Sequence, residues 1–508
     1  MNSRLLEESF RKSKNDFIEY INNIKANMPV DIYSVTNTTL VSNPYSSDFP
    51  KKFFSDASID ANNKVIPFLF NSIKFYTRNF YLFFIYIISY LIYKIFYKKN
   101  KELPKKSVYI DVFFLVDTIN KEGEFIERYF SKIYPALNKY KVNYTYIPRI
   151  YGAHLNPLKL IKLFSILNKD NNNYLFEFEL LSLVDIVNIF LLIVKYPFKT
   201  LRLLQKEDIK TNELFNNELL KDVSKQQFNI FSRYVFGKNL SKIDGVDDIY
   251  SWSEFQVIER AFNYAIRAEN KNIRLHGCQF YLNYETYFNT CMYNVDEDNK
   301  TSCNEVLVNG KYYIKERKNI RYIEGVALRY SKVFEFTKKN DGENILVLGS
   351  YIDNDTRYML ECVKGFEKVI FKRHPAMSNT KFDDVITENI IEVKEDIYIL
   401  FENTKIVISS ASGTCMEAVA CGIPVIVIAS QDNLTANPLV EYGKGKIWDI
   451  SYSKDDINET YRRLMLYKID HYDEVEKISS WYKDNFFIEP TEKNIVKAFE
   501  LDKKRDVN

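Results

Sequence analysis

The sequence predicts an α/β protein with two parallel-sheet domains, and three observations carry that prediction. The chain has 508 residues, more than one hydrophobic core ordinarily supports, so two packed domains are expected. Short apolar runs alternate with helical patterns on both sides of a polar stretch at residues 338–342, and such alternation implies βαβ units. The runs are apolar throughout, as strands buried on both faces of a parallel sheet are.

Composition narrows the function classes. The chain is 46% hydrophobic and 27% charged, ordinary for a globular protein. Seventy basic residues against 67 acidic leave a net charge of +3, which argues against a nucleic-acid partner, since such binders concentrate basic charge. Tyr and Phe are abundant, 38 of each beside 14 Gly, and AT-rich coding accounts for part of this. Six cysteines (278, 291, 303, 362, 415 and 421) form no CxxC pair and no zinc-like spacing, which fits small apolar residues in a reduced, cytosolic setting. Residues 1–8 read as a polar helix and not as a signal peptide, so the catalytic part is expected on the cytoplasmic side.

Residues 5–24 read as a helix, and 41–55 as a polar, Ser/Asn-rich stretch. Residues 80–97 (FYLFFIYIISYLIYKIFY) are half aromatic, the side-chain type favoured at the membrane–water boundary. As a helix they reach about 27 Å, just short of a hydrocarbon core of roughly 30 Å. Three readings stand: a helix lying in the interface, a single span, or a buried core helix. Lysines 98, 99, 101, 105 and 106 follow, and for a span they would place the rest of the chain in the cytoplasm.

From residue 107 the pattern is α/β. Strands are expected at 108–116 and 142–147, helices at 125–137 and 180–194, and a strand at 273–275 running into a His276-Gly277 turn. Beyond 342 come strands 345–348, 369–372, 406–409 and 425–429, with helices 356–363 and 414–421. The expected division is 1–106 as an N-terminal region, 107–337 and 343–480 as two Rossmann-like domains, and 481–508 as a C-terminal helix.

Residues 406–428 (IVISSASGTCMEAVACGIPVIVI) carry the clearest chemistry. A strand ends at Ser409, a small hydroxyl-rich turn follows, and a helix starts at Thr414; Gly422 and Pro424 stop it. Helix N-termini bind phosphate through unpaired N–H groups. Ser410 and Ser412 add hydroxyls there, while Ala411 and Gly413 permit close approach. The alternative is a plain capping box, with Glu417 reaching back to its own helix start. Residues 369–375 (VIFKRHP) end a second strand with Lys372, Arg373 and His374, a cationic set suited to a nucleotide phosphate at the carboxyl end of a parallel sheet.

With these motifs, Lys372-Arg373-His374-Pro375 and Ser409 through Val425, the chain resembles bacterial GT-B glycosyltransferases of surface and capsular polysaccharide synthesis. Its neighbours there are the HP/SS-motif sialyl- and Kdo-transferases and the CDP-glycerol polyol-phosphate transferases. The resemblance implies the GT-B fold, two Rossmann-like domains facing across a cleft, here with an N-terminal helical membrane-associated segment. It implies that His374, Ser410 and Ser412 contact the donor and that Glu417 binds its ribose. Weaker likenesses to surface-carbohydrate proteins lie at Trp252-Ser253-Glu254-Phe255-Gln256, His276-Gly277-Cys278-Gln279, Val306 to Gly310, and Leu328-Arg329-Tyr330 after Gly325.

The donor set expected is thus Lys372, Arg373, His374, Ser409, Ser410, Ser412, Gly413, Thr414 and Glu417, with Arg329 as a further phosphate contact. An inverting transfer also needs a base from the first domain. Of the histidines 154, 276, 374 and 471, His276 matches the His-Gly step of the polyol-phosphate transferases, and Glu254 is its rival. The [DE]-[DE]-G motif of sialyltransferases is missing; Asp341-Gly342 is a poor echo of it. Asp247-Asp248 and Asp353-Asn354-Asp355 suggest a metal-bound diphosphate, but helix dipole and basic side chains serve a GT-B site, so neither metal nor cofactor is expected.

The expected activity is glycosyl transfer from a nucleotide sugar, CMP- or CDP-linked ahead of UDP, to a glycan or lipid-linked acceptor at the inner face of the cytoplasmic membrane. The alternatives are a CDP-polyol phosphotransferase, a sugar-nucleotide 2-epimerase and a non-catalytic binding partner.

Overall fold

The computed structural model describes residues 3–44, 46–55, 65–98, 107–115, 125–151, 156–338, 341–377 and 380–504. His154, Val116, Lys339, Asn340 and lysines 99, 101, 105 and 106 lie outside the described residues. Two six-stranded sheets, parallel at every pairing, organise the rest. The first holds β1 (Ser107–Leu115), β2 (Tyr144–Tyr151), β3 (Val246–Trp252), β4 (Arg274–Cys278), β5 (Glu305–Val308) and β6 (Arg321–Glu324), in the order β2-β1-β3-β4-β5-β6. The second holds β7 (Asn344–Leu348), β8 (Val369–Lys372), β9 (Ile390–Val393), β10 (Thr404–Ser409), β11 (Val425–Ile428) and β12 (Trp448–Ser451), in the order β12-β11-β10-β7-β8-β9. Strands such as β5 and β11 are buried at every residue, which is why they read as continuous apolar runs.

The strand order reverses between β1 and β3 in one sheet and between β7 and β10 in the other. At such a switch point the connections part to opposite faces and leave a crevice beyond the carboxyl ends of the strands. The loops after β3, β7 and β10 are therefore where a ligand belongs.

Several expectations are corrected. His276-Gly277 is not a turn: both residues lie within β4, paired with Tyr250 and Ser251 of β3. Glycine is required there because a Cβ would stand 2.7 Å from Cys303 Sγ and 3.0 Å from Ser253 Cβ. The helix expected at 125–137 is only Tyr134–Lys139, because the Glu127 carboxylate accepts the Tyr129 and Phe130 N–H groups and holds a turn. The helix expected at 180–194 is Leu183–Thr200; Ser182 and Asp185 close a capping box at its start.

The ends of the chain are also bound in. Residue 481 falls inside the helix Tyr472–Phe486, and the chain then returns to the first domain, where Ile488 N–H donates to the Asn309 carbonyl at 2.7 Å. The final helix, Glu492–Phe499, sets Phe499 5.0 Å from the Tyr250 ring. At the other end, the helix Ser3–Asn27 packs Phe10 and Phe17 against Phe54 and Phe288. It touches the second domain through Ser3 Oγ on the Ser430 carbonyl and the first through Lys25 on Asp296.

The aromatic segment is part of a longer helix, Val65–Phe96. One face is buried: Phe75, Phe83 and Tyr86 pack among Tyr196, Phe190 and Phe228. Near its middle, Arg78 and Asn79 both donate to the Gln226 carbonyl. The opposite face exposes Ile66, Phe70, Ile73, Tyr81, Phe84, Leu91 and Ile95. The helix Leu183–Thr200 lies alongside and exposes Leu183, Val184, Val187 and Phe198. One face of this helix packs on the body of the protein, and by length and composition it is also apolar enough to cross a membrane.

Candidate active site in the cleft

The loops leaving the carboxyl ends of the two sheets meet. A Cβ on Gly413, after β10, would lie 3.7 Å from Leu282 and 3.8 Å from the Tyr284 hydroxyl, both after β4. Arg329 stands where the domains join, with its Nη1 donating to the Phe280 carbonyl at 3.3 Å. Its charge is felt by Glu254 of the first domain and by His374 and Glu417 of the second. Two Rossmann-like domains face each other across this cleft, and the C-terminal helix crosses back to the first. The fold is GT-B.

Glu254 sits in the loop between β3 and the helix Val257–Glu269. Burial, reinforced by the nearby Glu259 charge, pushes its carboxyl up to about 7, while Gln256 and Arg329 pull the other way. Gln256 Nε2 donates to Glu254 Oε2 at 2.5 Å. The next residue, Phe255, has φ 56°, a left-handed backbone that costs a non-glycine residue about 1–3 kcal/mol. Ala411, in the facing loop, has φ 52°. Strain of this kind collects at sites where geometry matters more than local stability.

On the donor side, His374 follows β8 with its ring 5.7 Å from Tyr351. Burial and the Arg329 charge hold its imidazole below the usual value, so the ring is neutral near pH 7. Glu417, only 8% exposed, accepts the Tyr398 hydroxyl at 2.5 Å. Burial raises its carboxyl against the opposing pull of Tyr398 and Arg329. Ser412 Oγ accepts the Thr414 N–H at 3.3 Å, a cap on the helix Thr414–Ala420. Ser410 is buried beside Asp355.

Other expected contacts are turned to structural use. Ser409 is fully buried and donates to the Leu348 carbonyl at 3.1 Å, tying β10 to β7. Lys372 Nζ donates to the Glu395 carbonyl at 2.5 Å. Arg373 pairs with Glu392 at 2.7 Å, lies 4.9 Å over Phe382, and donates to the Met377 and Thr380 carbonyls. That guanidinium pins the loop after β8, so of the Lys-Arg-His run only His374 reaches the Arg329 cluster.

His276 is corrected most fully. It is 2% exposed, with Nε2 2.7 Å from Asp248 and Nδ1 3.1 Å from Glu305, under a Tyr250 ring stacked at 4.4 Å. Both ring nitrogens face carboxylates, which leaves neither free to take a proton from an acceptor. Arg274, Arg321 and Lys504 complete the cluster. It joins β3, β4 and β5 to the C-terminal segment.

No motif pointed to the aromatic lining. Tyr129 lies under the Arg329 guanidinium at 5.7 Å, Tyr330 donates to the Phe280 carbonyl, and Tyr398 holds Glu417. In a chain this rich in tyrosine, no spacing distinguishes them. A buried charge network also lies beneath the β1/β3 switch point. Asp111 accepts Arg149 Nε at 2.8 Å, Arg233 at 2.6 Å and Ser251 Oγ at 2.9 Å. Arg149 reaches on to Glu259 at 3.0 Å, whose other oxygen accepts the Gln256 N–H at 2.8 Å. One signal for it was available: Asp111 is a lone acid inside the apolar run VYIDVFFL.

No family model and no curated protein matches the sequence. Among solved structures, the chain is similar to the S. aureus MnaA–UDP complex (9% identity, 79% of this chain and 98% of that one, TM-score 0.45). It is similar to the Methanocaldococcus jannaschii UDP-GlcNAc 2-epimerase with UDP-GlcNAc and UDP (13%, 78% and 99%, TM-score 0.43). A third is the wall teichoic acid polymerase TagF (10%, 85% and 98%, TM-score 0.39).

Proposed function

We propose that the chain transfers a glycosyl group from a nucleotide-activated donor to a hydroxyl of a glycan or lipid-linked acceptor at a membrane surface. The observation that carries this reading is the meeting of the loops after β4 and β10, with a Gly413 Cβ position 3.7 Å from Leu282, in a cleft where the Arg329 charge acts on Glu254 of one domain and on His374 and Glu417 of the other. In the transfer, the acceptor hydroxyl attacks the anomeric carbon with inversion and gives its proton to Glu254. The bond from that carbon to the donor phosphate breaks, and the electron pair leaves with the nucleotide. Arg329 and the His374 N–H meet the charge that develops there, with Glu417 on the ribose hydroxyls and Ser410, Ser412 and the backbone around Gly413 and Thr414 beside the phosphates. With an arginine in that position, the reading requires no metal. The HP/SS resemblance favours a CMP- or CDP-linked donor over UDP and a role in surface polysaccharide synthesis.

The exposed apolar faces of Val65–Phe96 and Leu183–Thr200 support attachment to a bilayer surface. Residues 65–98 carry Lys74, Arg78, Lys94 and Lys98 and no acid, a charge pattern suited to the anionic inner leaflet.

The test is a thermal-shift panel of CMP, CDP, UDP and GDP against the unaltered chain and His374→Ala. A ligand at a hundred times its Kd adds about 2.7 kcal/mol, a clear rise in Tm. The rise should shrink in the variant. If none of the four nucleotides raises the Tm of the unaltered chain, the donor reading fails.

A second reading has one observation in its favour: two carboxyls of raised proton affinity, Glu254 and Glu417, flank the same arginine. Such a pair also suits isomerisation of the nucleotide sugar itself. Incubation of the chain with UDP-GlcNAc alone separates the two, since only isomerisation changes the sugar without an acceptor.

A further inference from the structure

A cavity of about 590 Å³ opens between the N-terminal segment, the apolar helix Val65–Phe96 and the loop that carries Glu254. Thr38, Arg78, Lys225, Gln227, Asn229 and Gln256 are among its walls. Two thirteen-residue helices begin there, Phe228–Leu240 behind Gln227 and Val257–Glu269 behind Gln256. Each turns its positive end towards the cavity; the first has no side-chain cap, while the second is closed by a Gln256/Glu259 capping box.

The side chains add to that potential and are left incomplete. Arg78 donates to the Gln226 carbonyl, but its buried Nε has no partner among the described residues. No carboxylate of the described residues is in reach of its guanidinium, and burial alone lowers its proton affinity. A half-buried guanidinium with no carboxylate beside it among the described residues is free to meet something anionic. Thr38, 4% exposed, likewise has a buried hydroxyl with no partner among the described residues, and the Asn229 amide beside it can turn its NH2 group to an anion. Lys225 is partly neutralised, by Asp222 at 3.1 Å and Asp48 at 4.0 Å. Arg78 therefore dominates.

We propose that this cavity is the acceptor subsite and takes the phosphate-ester head of a membrane-borne amphiphile. Guanidinium, ammonium, two helix N-termini and small polar groups are the chemistry that recognises a phosphate or diphosphate. Two connections fix its place in the molecule. Gln256, in one wall, is the residue bonded to the Glu254 carboxyl, so a sugar attached to a phosphate held here extends towards the base. Arg78, in another wall, belongs to the helix whose far face exposes Ile73, Tyr81 and Phe84, so the alkyl chain leaves towards the bilayer. The inference rests on the glycosyl-transfer reading and names where its acceptor binds.

The experiment is co-sedimentation of the full chain with phosphatidylcholine vesicles, plain or doped with hexadecyl phosphate, with inorganic pyrophosphate as competitor. The doped vesicles should bind the chain more tightly, and pyrophosphate should remove that increment. Arg78→Gln loses a structural hydrogen bond as well, so Lys225→Gln and Asn229→Asp are compared with it. Each should weaken the increment about tenfold, the scale of one charge-assisted hydrogen bond. Three variants that respond to hexadecyl phosphate as the unaltered chain does overturn the subsite. An alkyl phosphate that adds nothing to plain vesicles, while pyrophosphate still raises the Tm, overturns the membrane-borne source. The nucleotide-induced Tm shift of the unaltered chain reads the donor half separately, so failure here is distinct from failure of the transferase reading.

Discussion

Glu417 Oε2 accepts a 2.5 Å hydrogen bond from the Tyr398 hydroxyl, which links the helix Thr414–Ala420 to the helix Ile397–Glu402. Without a ligand, tyrosine supplies the donor that this buried carboxyl needs. Tyr398→Phe should cost about 1–3 kcal/mol in stability, the penalty for stranding a buried acceptor. If ribose hydroxyls are the ligand of Glu417, they restore the lost donor. The nucleotide-induced rise in Tm should then be larger in the variant than in the unaltered chain. An equal or smaller rise counts against Glu417 as the ribose partner.

The raised carboxyl of Glu254 gives a pH signature. A base must be ionised, so kcat/KM should rise with pH through about 7, the value to which burial and Glu259 push this group. Glu254→Gln should remove that limb and lower kcat by about 10²–10⁴. Stability carries the opposite sign. A carboxyl whose folded value is raised stabilises the fold while protonated, and loses that contribution as pH climbs from its ordinary value of about 4.3 to about 7. Above pH 7 the variant should therefore melt no lower than the unaltered chain. A variant with an unchanged pH–rate profile places the base elsewhere.

The sequence made most strands of both sheets legible, because βαβ units repeat a pattern of apolar runs and stops, but it hid β3, which leads into the Glu254 loop, and β6, β9 and β12, and with them the strand order. Motif spacing singled out Glu417 and His374, and in the structure both feel the Arg329 charge. The sequence also hid side-chain direction. Lys372, Arg373 and His374 are consecutive, yet the first two bond to carbonyls and to Glu392 while the third meets Arg329, because pairings across the sheet edge decide where each one turns. His276-Gly277 read as a loop because glycine usually signals one. Here it marks close packing on Cys303, a cause that only the three-dimensional neighbours supply.

The Asp111–Arg149–Glu259 chain should act on catalysis from beneath the cleft. Arg149→Met leaves Asp111 buried with one cation fewer and frees Glu259 from its partner. Breaking a buried pair by removing one side costs about 3–5 kcal/mol, which urea melts would read as a lower midpoint at unchanged slope. Because Glu259 also holds the Gln256 N–H, the Glu254 loop should loosen. At temperatures where the variant stays folded, kcat should fall while the nucleotide Tm shift, read in the other domain, persists. Loss of the nucleotide shift instead would show that the two halves are not separable in this way.

His276 offers the sharpest test of structural against catalytic use. It bridges Asp248 and Glu305, and both carboxyls are held below their ordinary range. For Asp248 burial opposes this but is outweighed by His276, Lys504 and Arg274; for Glu305 the His276 bond leads. Depressed carboxyls contribute stability that is present above their unfolded values of about 4 and lost as pH falls through the folded ones. His276→Ala removes the bridging donor from both acids, and the stability cost near pH 7 should be about 3 kcal/mol. The drop in stability from pH 7 towards pH 3 should become shallower, since both folded values move back towards the unfolded ones. Turnover should survive at temperatures where the variant is folded, because no ring nitrogen faces the cleft. A variant that melts like the unaltered chain but has lost turnover would return the base to His276 and remove it from Glu254.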